Sequence, residues 1–322
     1  MPTPPNPPPD GATHGPDAVR LATRRGIHAR LAALPPVDYD TVAAESVRAR
    51  HTLPLRVELI RQLKRRRTQL SMLVLVLLPI VMALAFKVGG AGDSSSGQNS
   101  SALLGLATVG AGNFALFAEF ASVGFLLVVI VALYCGDTVA AEASWSSLRY
   151  LLAIPVPRSR LLGQKLTVAL LLSLGANLLL PVWAYLVGGV FFGWAPARSP
   201  ISGTFSTSDA LIRLLVVIGY ASIQALIVAA LAFLFGVLTD APLGAVGGAV
   251  MLFVVSNILD SITALGQWRR FLPTHFQYAW LDALGTSINW ADMTRGTGLA
   301  LVYAAVFFAL AWRRFDHKDI TS

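Results

Sequence analysis

Uncharged apolar runs alternate with short polar breaks along most of this chain, at residues 68–86, 120–136, 166–197, 214–239, 241–259 and 296–312. A membrane-spanning helix needs about 17–25 mainly apolar residues, so each run is long enough or nearly so. The runs are apolar all round rather than along one stripe, as contact with lipid or a membrane bundle demands. The pattern predicts spans at about 68–88, 114–136, 163–192, 210–238, 241–260 and 296–312. The run at 166–197 suits one tilted helix with an interfacial extension and is too short for two. The expected fold class is an all-α integral membrane protein with six transmembrane helices.

The polar segments complete the picture. In PLRVELIRQLKRRR, residues 54–67, Leu55, Leu59 and Leu63 share one helical face while Arg61, Lys64 and Arg65 lie elsewhere. Pro54 suits a first turn. This is an interfacial amphipathic helix, with Arg61, Lys64, Arg65, Arg66 and Arg67 as its membrane-surface anchor. Residues 1–50 form a Pro/Arg-rich tail expected to be largely disordered, and residues 51–322 a six-span membrane domain. Residues 261–295 hold segments too short to cross, rich in aromatics such as Trp268, Phe271, Tyr278, Trp280 and Trp290. That density suits the headgroup zone, so short helices dipping into the outer leaflet are expected.

Between the second and third spans, Gly136 and Asp137 are expected to end one helix and a separate one to run over about 138–153. Pro155 and Pro157 stop it. Helical spacing places Glu142, Trp145, Arg149 and Leu152 on one stripe, with Leu148 beside it. Trp, Leu and Arg displayed together suit a protein interface. Packing of the same residues on the membrane surface is the alternative.

Charge sets the orientation. Of 25 Lys and Arg residues, nineteen lie before the first span, between spans two and three, or after span six. That bias puts both termini in the cytoplasm of a multi-pass cell-membrane protein. The net charge of +8 is mostly juxtamembrane, where it meets anionic lipid, and implies no nucleic-acid partner. No phosphate-cradling G-x-x-x-x-G-K-[ST], H-E-x-x-H, C-x-x-C or G-x-S-x-G occurs, so no catalytic, cofactor or metal residue is expected and the chain is not expected to be an enzyme by itself.

GDTVAAEASWSSLRYLLAIPVPRSRLLGQKL, residues 136–166, resembles the segment between spans two and three of type-2 ATP-binding-cassette (ABC) export permeases. Glu142, Leu148, Leu151, Leu152, Ala153, Pro155, Val156, Arg158 and Lys165 match the family's Glu, "Leu-Leu-Ala-x-Pro-Val-x-Arg" and Lys positions. Ser146 and Ser147 stand where Gly is usual. The ending AWRRFDHKDI is similar to the family's closing Phe-x-x-x-Asp pattern. The resemblance covers roughly residues 50–322 and implies a membrane half-transporter. Two such permeases, identical or homologous, form the pathway, and two separate ABC ATPase subunits carry the ATP and Mg. It makes the 138–153 helix the coupling helix, with Glu142, Trp145, Leu148, Arg149, Leu152, Pro155 and Arg158 as the ATPase-subunit interface.

Glu119 lies about six residues inside span two, roughly 9 Å deep at 1.5 Å per residue. A carboxylate there is a functional candidate; snorkelling to the outer interface is the alternative. The resemblance places spans two and five beside the pathway, so Asn113, Phe114, Phe117, Glu119, Phe120 and Asn257 are its candidate lining. Asn177 and Gln224 are expected to be helix–helix hydrogen bonds, and Gly244, Gly247 and Gly248 close-packing sites. The expected function is export of an amphipathic, drug-like or lipid-like molecule. The alternatives are a lipid-linked glycan exporter permease and a non-transporting membrane scaffold or immunity protein.

Overall fold

The computed structural model describes residues 55–89, 105–144, 158–199, 203–285 and 287–317. The chain divides into two units, Met1–Thr52 and Leu53–Ser322, and the described residues belong to the second. An amphipathic helix α1 (Leu55–Leu63) precedes α2 (Arg66–Gly89). There follow α3 (Ala111–Val123), α4 (Leu126–Ser144), the 35-residue α5 (Arg158–Phe192), α6 (Thr207–Leu238), α7 (Pro242–Ser261) and α8 (Ala291–Asp316). Two 3-10 helices, Thr263–Phe271 and Ala279–Leu284, lie between α7 and α8. Among the described residues, five helices are long and apolar enough to cross a membrane: α2, α5, α6, α7 and α8. The bent pair α3–α4 makes a sixth if it counts as one span.

Helix α6 is the hub, packed against α4, α7, α8 and α5, while α3 and α2 lie on α5. Gly136 and Gly236 let α4 and α6 cross closely: a Cβ on Gly236 would lie 2.5 Å from the Gly136 carbonyl oxygen. Small residues at such crossings let backbones approach where lipid supplies no hydrophobic drive between helices.

Three features depart from the expected architecture. The second span is bent by 59°. At the bend, the Gly124 and Phe125 amides both turn back onto the Ser122 carbonyl. Gln277 Nε2 donates to the Val123 carbonyl at 2.9 Å, and Tyr278 packs so closely that a Cβ on Gly124 would lie 2.5 Å from its hydroxyl. A side chain inserted into the helical ladder is an ordinary cause of a kink.

The helix also does not end at Gly136 and Asp137 but runs on to Ser144. The Gly136 crossing carries it past α6, and Asp137 is ion-paired instead of facing water. Lastly, the loop after α5 carries a minimal antiparallel strand pair, Arg198–Ser199 with Gly203–Thr204.

The segment between α7 and α8 does not simply rest at a headgroup surface. Trp268 and Phe271 are exposed, but Trp280 is fully buried against Phe120. Arg213 of α6 donates to the Ala283 and Gly285 carbonyls, and Tyr220 donates to the Phe276 carbonyl at 2.6 Å. The 272–285 stretch is thereby plugged into the end of the bundle opposite α1.

Candidate functional site

At the basic end, α1 lies against the start of α5. Its leucines leave one edge on which Glu58 and Gln62 are buried, and Gln62 Nε2 donates to Glu58 Oε1 at 3.1 Å. The last turns of α4 bring Glu142 to this edge, and the second turn of α5 brings Lys165. Lys165 Nζ donates to Glu142 Oε1 at 2.5 Å, and Arg61 Nη2 donates to the same oxygen at 2.7 Å. Lys165 also lies 3.6 Å from Glu58 Oε1. Glu142 is 0% exposed and Lys165 4%. One turn earlier in α4, Asp137 accepts from Arg65 at 3.0 Å and Arg67 at 2.6 Å.

Buried charges are tolerated when paired and hydrogen-bonded, and this network meets that condition with groups from four helices. It ties α1 and the head of α2 to both flanks of residues 145–157. This corrects two expectations. Glu142 does not face outward; it is sealed inside the chain, where Lys165 and Arg61 compensate it. Arg61, Arg65 and Arg67 are not only a membrane-surface anchor, since each holds a carboxylate of α4; Lys64 and Arg66 are exposed. Arg158 opens α5. Trp145, Leu148, Arg149, Leu152 and Pro155 lie outside the described residues.

At the other end, the candidate pathway residues disperse. Asn113 donates to the Arg198 carbonyl at 2.6 Å and accepts from its amide at 2.8 Å. It fastens the first strand rather than lining a passage. Phe114 is a core residue, wedged against Phe86 and Phe192. Phe117 meets Phe86 edge-on, and Phe120 packs on Tyr278 and Trp280. Asn257 is half-buried and donates at 3.4 Å to the Phe253 carbonyl of its own helix. Glu119 does not snorkel outward: it is 0% exposed, and neither carboxyl oxygen has a hydrogen-bond partner among the described residues.

Asn177 does bridge helices, donating to Ser222 at 2.7 Å and to the Ile218 carbonyl at 3.3 Å. Gln224 instead donates at 2.7 Å to Tyr220 of its own helix. Of the α7 glycines only Gly248 is tightly packed, against Phe235.

Glu58, Asp137, Ser122, Gln277 and Trp280 were missed as participants. Glu58 carried a signal, being the only acid among the charged residues of 54–67. Gln277 carried none, because its partner is 154 residues away. Among the described residues, no three His, Cys, Asp or Glu side chains converge on a metal position.

Residues 96–321 match a family described as "Protein of unknown function (DUF2705)", and the chain belongs to that family. No curated protein matches it.

Proposed function

We propose that this chain is the membrane-spanning subunit of an ATP-driven exporter, powered by a separate ABC ATPase. The observation that carries this reading is the Glu142–Lys165 pair. These are the two charged positions that bracket the permease-like motif, and they are bonded to each other across 23 residues. The pair closes the base of the 145–157 segment, whose Trp145, Leu148 and Leu152 have the chemistry of an interface anchor. Clamped at its base to α1, α4 and α5, such a segment delivers a push from a partner to three helices at once. The complex would hold two permeases, identical or homologous, and two ATPases carrying ATP and Mg. It would sit in the cell membrane with α1 and both termini cytoplasmic. The cargo would be an amphipathic, drug-like or lipid-like molecule, with a lipid-linked glycan as the variant.

The test is co-expression with a candidate ABC ATPase and purification into nanodiscs. The chain alone should hydrolyse no ATP, and the complex should. Replacing Trp145 or Arg149 by Ala should each weaken association tens- to several-hundred-fold, at about 2–4 kcal/mol per lost anchor, and replacing both should weaken it further. Unchanged co-purification and turnover in that double variant would sink the interface. A stable complex that hydrolyses ATP but moves no amphipathic probe would favour a non-transporting scaffold.

A further inference from the structure

Helices α5 and α6 are bridged near their middles by Asn177, whose amide nitrogen donates to Ser222 Oγ at 2.7 Å and to the Ile218 carbonyl at 3.3 Å. Beside this bridge the two helices leave a cavity of about 240 Å³. Its walls include Ser173, Leu174 and Asn177 from α5 and Ser222, Ala225 and Ala229 from α6. Spacings of three and four residues put each set on one helical face. Four of the six are Ser or Ala, side chains too short to reach across the gap. Leu174 at the wall, with Leu171 and Leu178 beside it on α5, is exposed. Both helices are long and apolar enough to span, so in a bilayer these leucines meet acyl chains and a guest reaches the cavity from the hydrocarbon.

The chemistry of the wall is one-sided. No Asp, Glu, Lys or Arg lines the cavity, and the polar side chains that do are Asn177, Ser173 and Ser222. An amide carries two N–H hydrogens and a hydroxyl one, and all of these are spent. Both Asn177 hydrogens serve the bridge, Ser222 donates to the Ile218 carbonyl at 2.7 Å, and Ser173 donates to the Ala169 carbonyl at 2.9 Å. Each hydroxyl oxygen also has a neighbour, Asn177 for Ser222 and the Cys135 thiol, at 3.7 Å, for Ser173. What the wall retains is acceptor capacity, above all the Asn177 carbonyl oxygen, which neither bond of that residue uses. Asn177 is 2% exposed, and a hydrogen bond at such depth is electrostatically stronger than one in water.

Size and chemistry together define the guest. An apolar cavity of about 150 Å³ takes one benzene. The further ~90 Å³ of this one holds about three more heavy atoms, at roughly the 30 Å³ that a water occupies. A charged guest is disfavoured, because nothing on the wall would compensate its desolvation. An apolar body suits the leucine and alanine walls, and one hydroxyl suits the amide oxygen.

We propose that the α5–α6 cavity binds one small neutral molecule that has an apolar body and a single hydrogen-bond donor, an alkylphenol for example, with the donor on Asn177 Oδ1. The experiment is equilibrium binding of tritiated 4-ethylphenol to the full chain in nanodiscs, with empty nanodiscs subtracted. No ATPase is present, so the result stands apart from the transport reading. One saturable site per chain is expected. In 4-ethyltoluene a methyl group replaces the hydroxyl at nearly equal volume. It should compete about three- to tenfold more weakly at equal bilayer concentration, the loss of one neutral hydrogen bond. The 4-ethylbenzoate anion should not compete. Ala225→Leu should fill the cavity and weaken binding about tenfold or more, and Asn177→Leu should level the phenol and the hydrocarbon. A diazirine derivative of 4-ethylphenol gives a measurement on the unmodified chain that depends on no variant folding. Its label should fall within residues 170–177 or 222–229 and be suppressed by 4-ethylphenol. Absence of a saturable site, or labelling confined to other helices, would overturn the cavity as a binding site. Equal affinity for 4-ethylphenol and 4-ethyltoluene would overturn the donor requirement, leaving a slot for a lipid chain.

Discussion

Two glutamates near opposite ends of the same bent span are equally buried and could hardly be more different. Glu142 and Glu119 are both 0% exposed. Glu142 meets Lys165 and Arg61 within 2.7 Å, while Glu119 meets no donor among the described residues. Burial alone therefore says little about what a carboxylate does. A compensated one is a structural tie whose removal strands its partners. An uncompensated one costs the fold the desolvation of the group with nothing from the described residues to offset it.

The contrast yields an ordered set of expectations for stability, measured by denaturant or thermal unfolding in nanodiscs. Lys165→Met should be the most damaging, about 3–5 kcal/mol, because it takes the buried cation at 2.5 Å away from a fully buried Glu142. Loss under 1 kcal/mol would mean that the pair is solvated and the tie illusory.

Asp137→Asn should cost less, about 1 kcal/mol. One of its partners, Arg67, is 59% exposed, so water and salt already weaken that contact. Its penalty should shrink further in high salt, where exposed charges are screened, while that of Lys165→Met should persist. Equal salt dependence in the two would erase the distinction between sealed and surface pairs.

Glu119→Gln should be the mildest, within about 1 kcal/mol of the unmodified chain, since no ion pair among the described residues is broken. A loss as large as that from Lys165→Met would show that Glu119 has a charged partner after all and would collapse the comparison.

Much of this was legible before any coordinates. The apolar runs correspond to α2, α5, α6, α7 and α8 and to the bent pair α3–α4, because span length is set by membrane thickness, a constraint each run meets locally. The amphipathic helix was legible from leucines four apart. Glu142 and Lys165 were legible as positions in a motif but not as partners. The bend was not legible at all, since Gly124 is one of many glycines and the residues that force the kink come from beyond α7.

What the amino-acid sequence determined by itself is therefore what depends on neighbours along the chain: where helices are apolar enough to span and where charge collects. The tertiary structure alone decided which buried charges are answered. Lys165 reaches Glu142, and Gln277 reaches Val123, only once separate helices pack side by side. The same packing buries Glu119 and Ser122 without a side-chain hydrogen-bond partner among the described residues. Pairing is a property of space between elements, and hydropathy along one element carries no information about it.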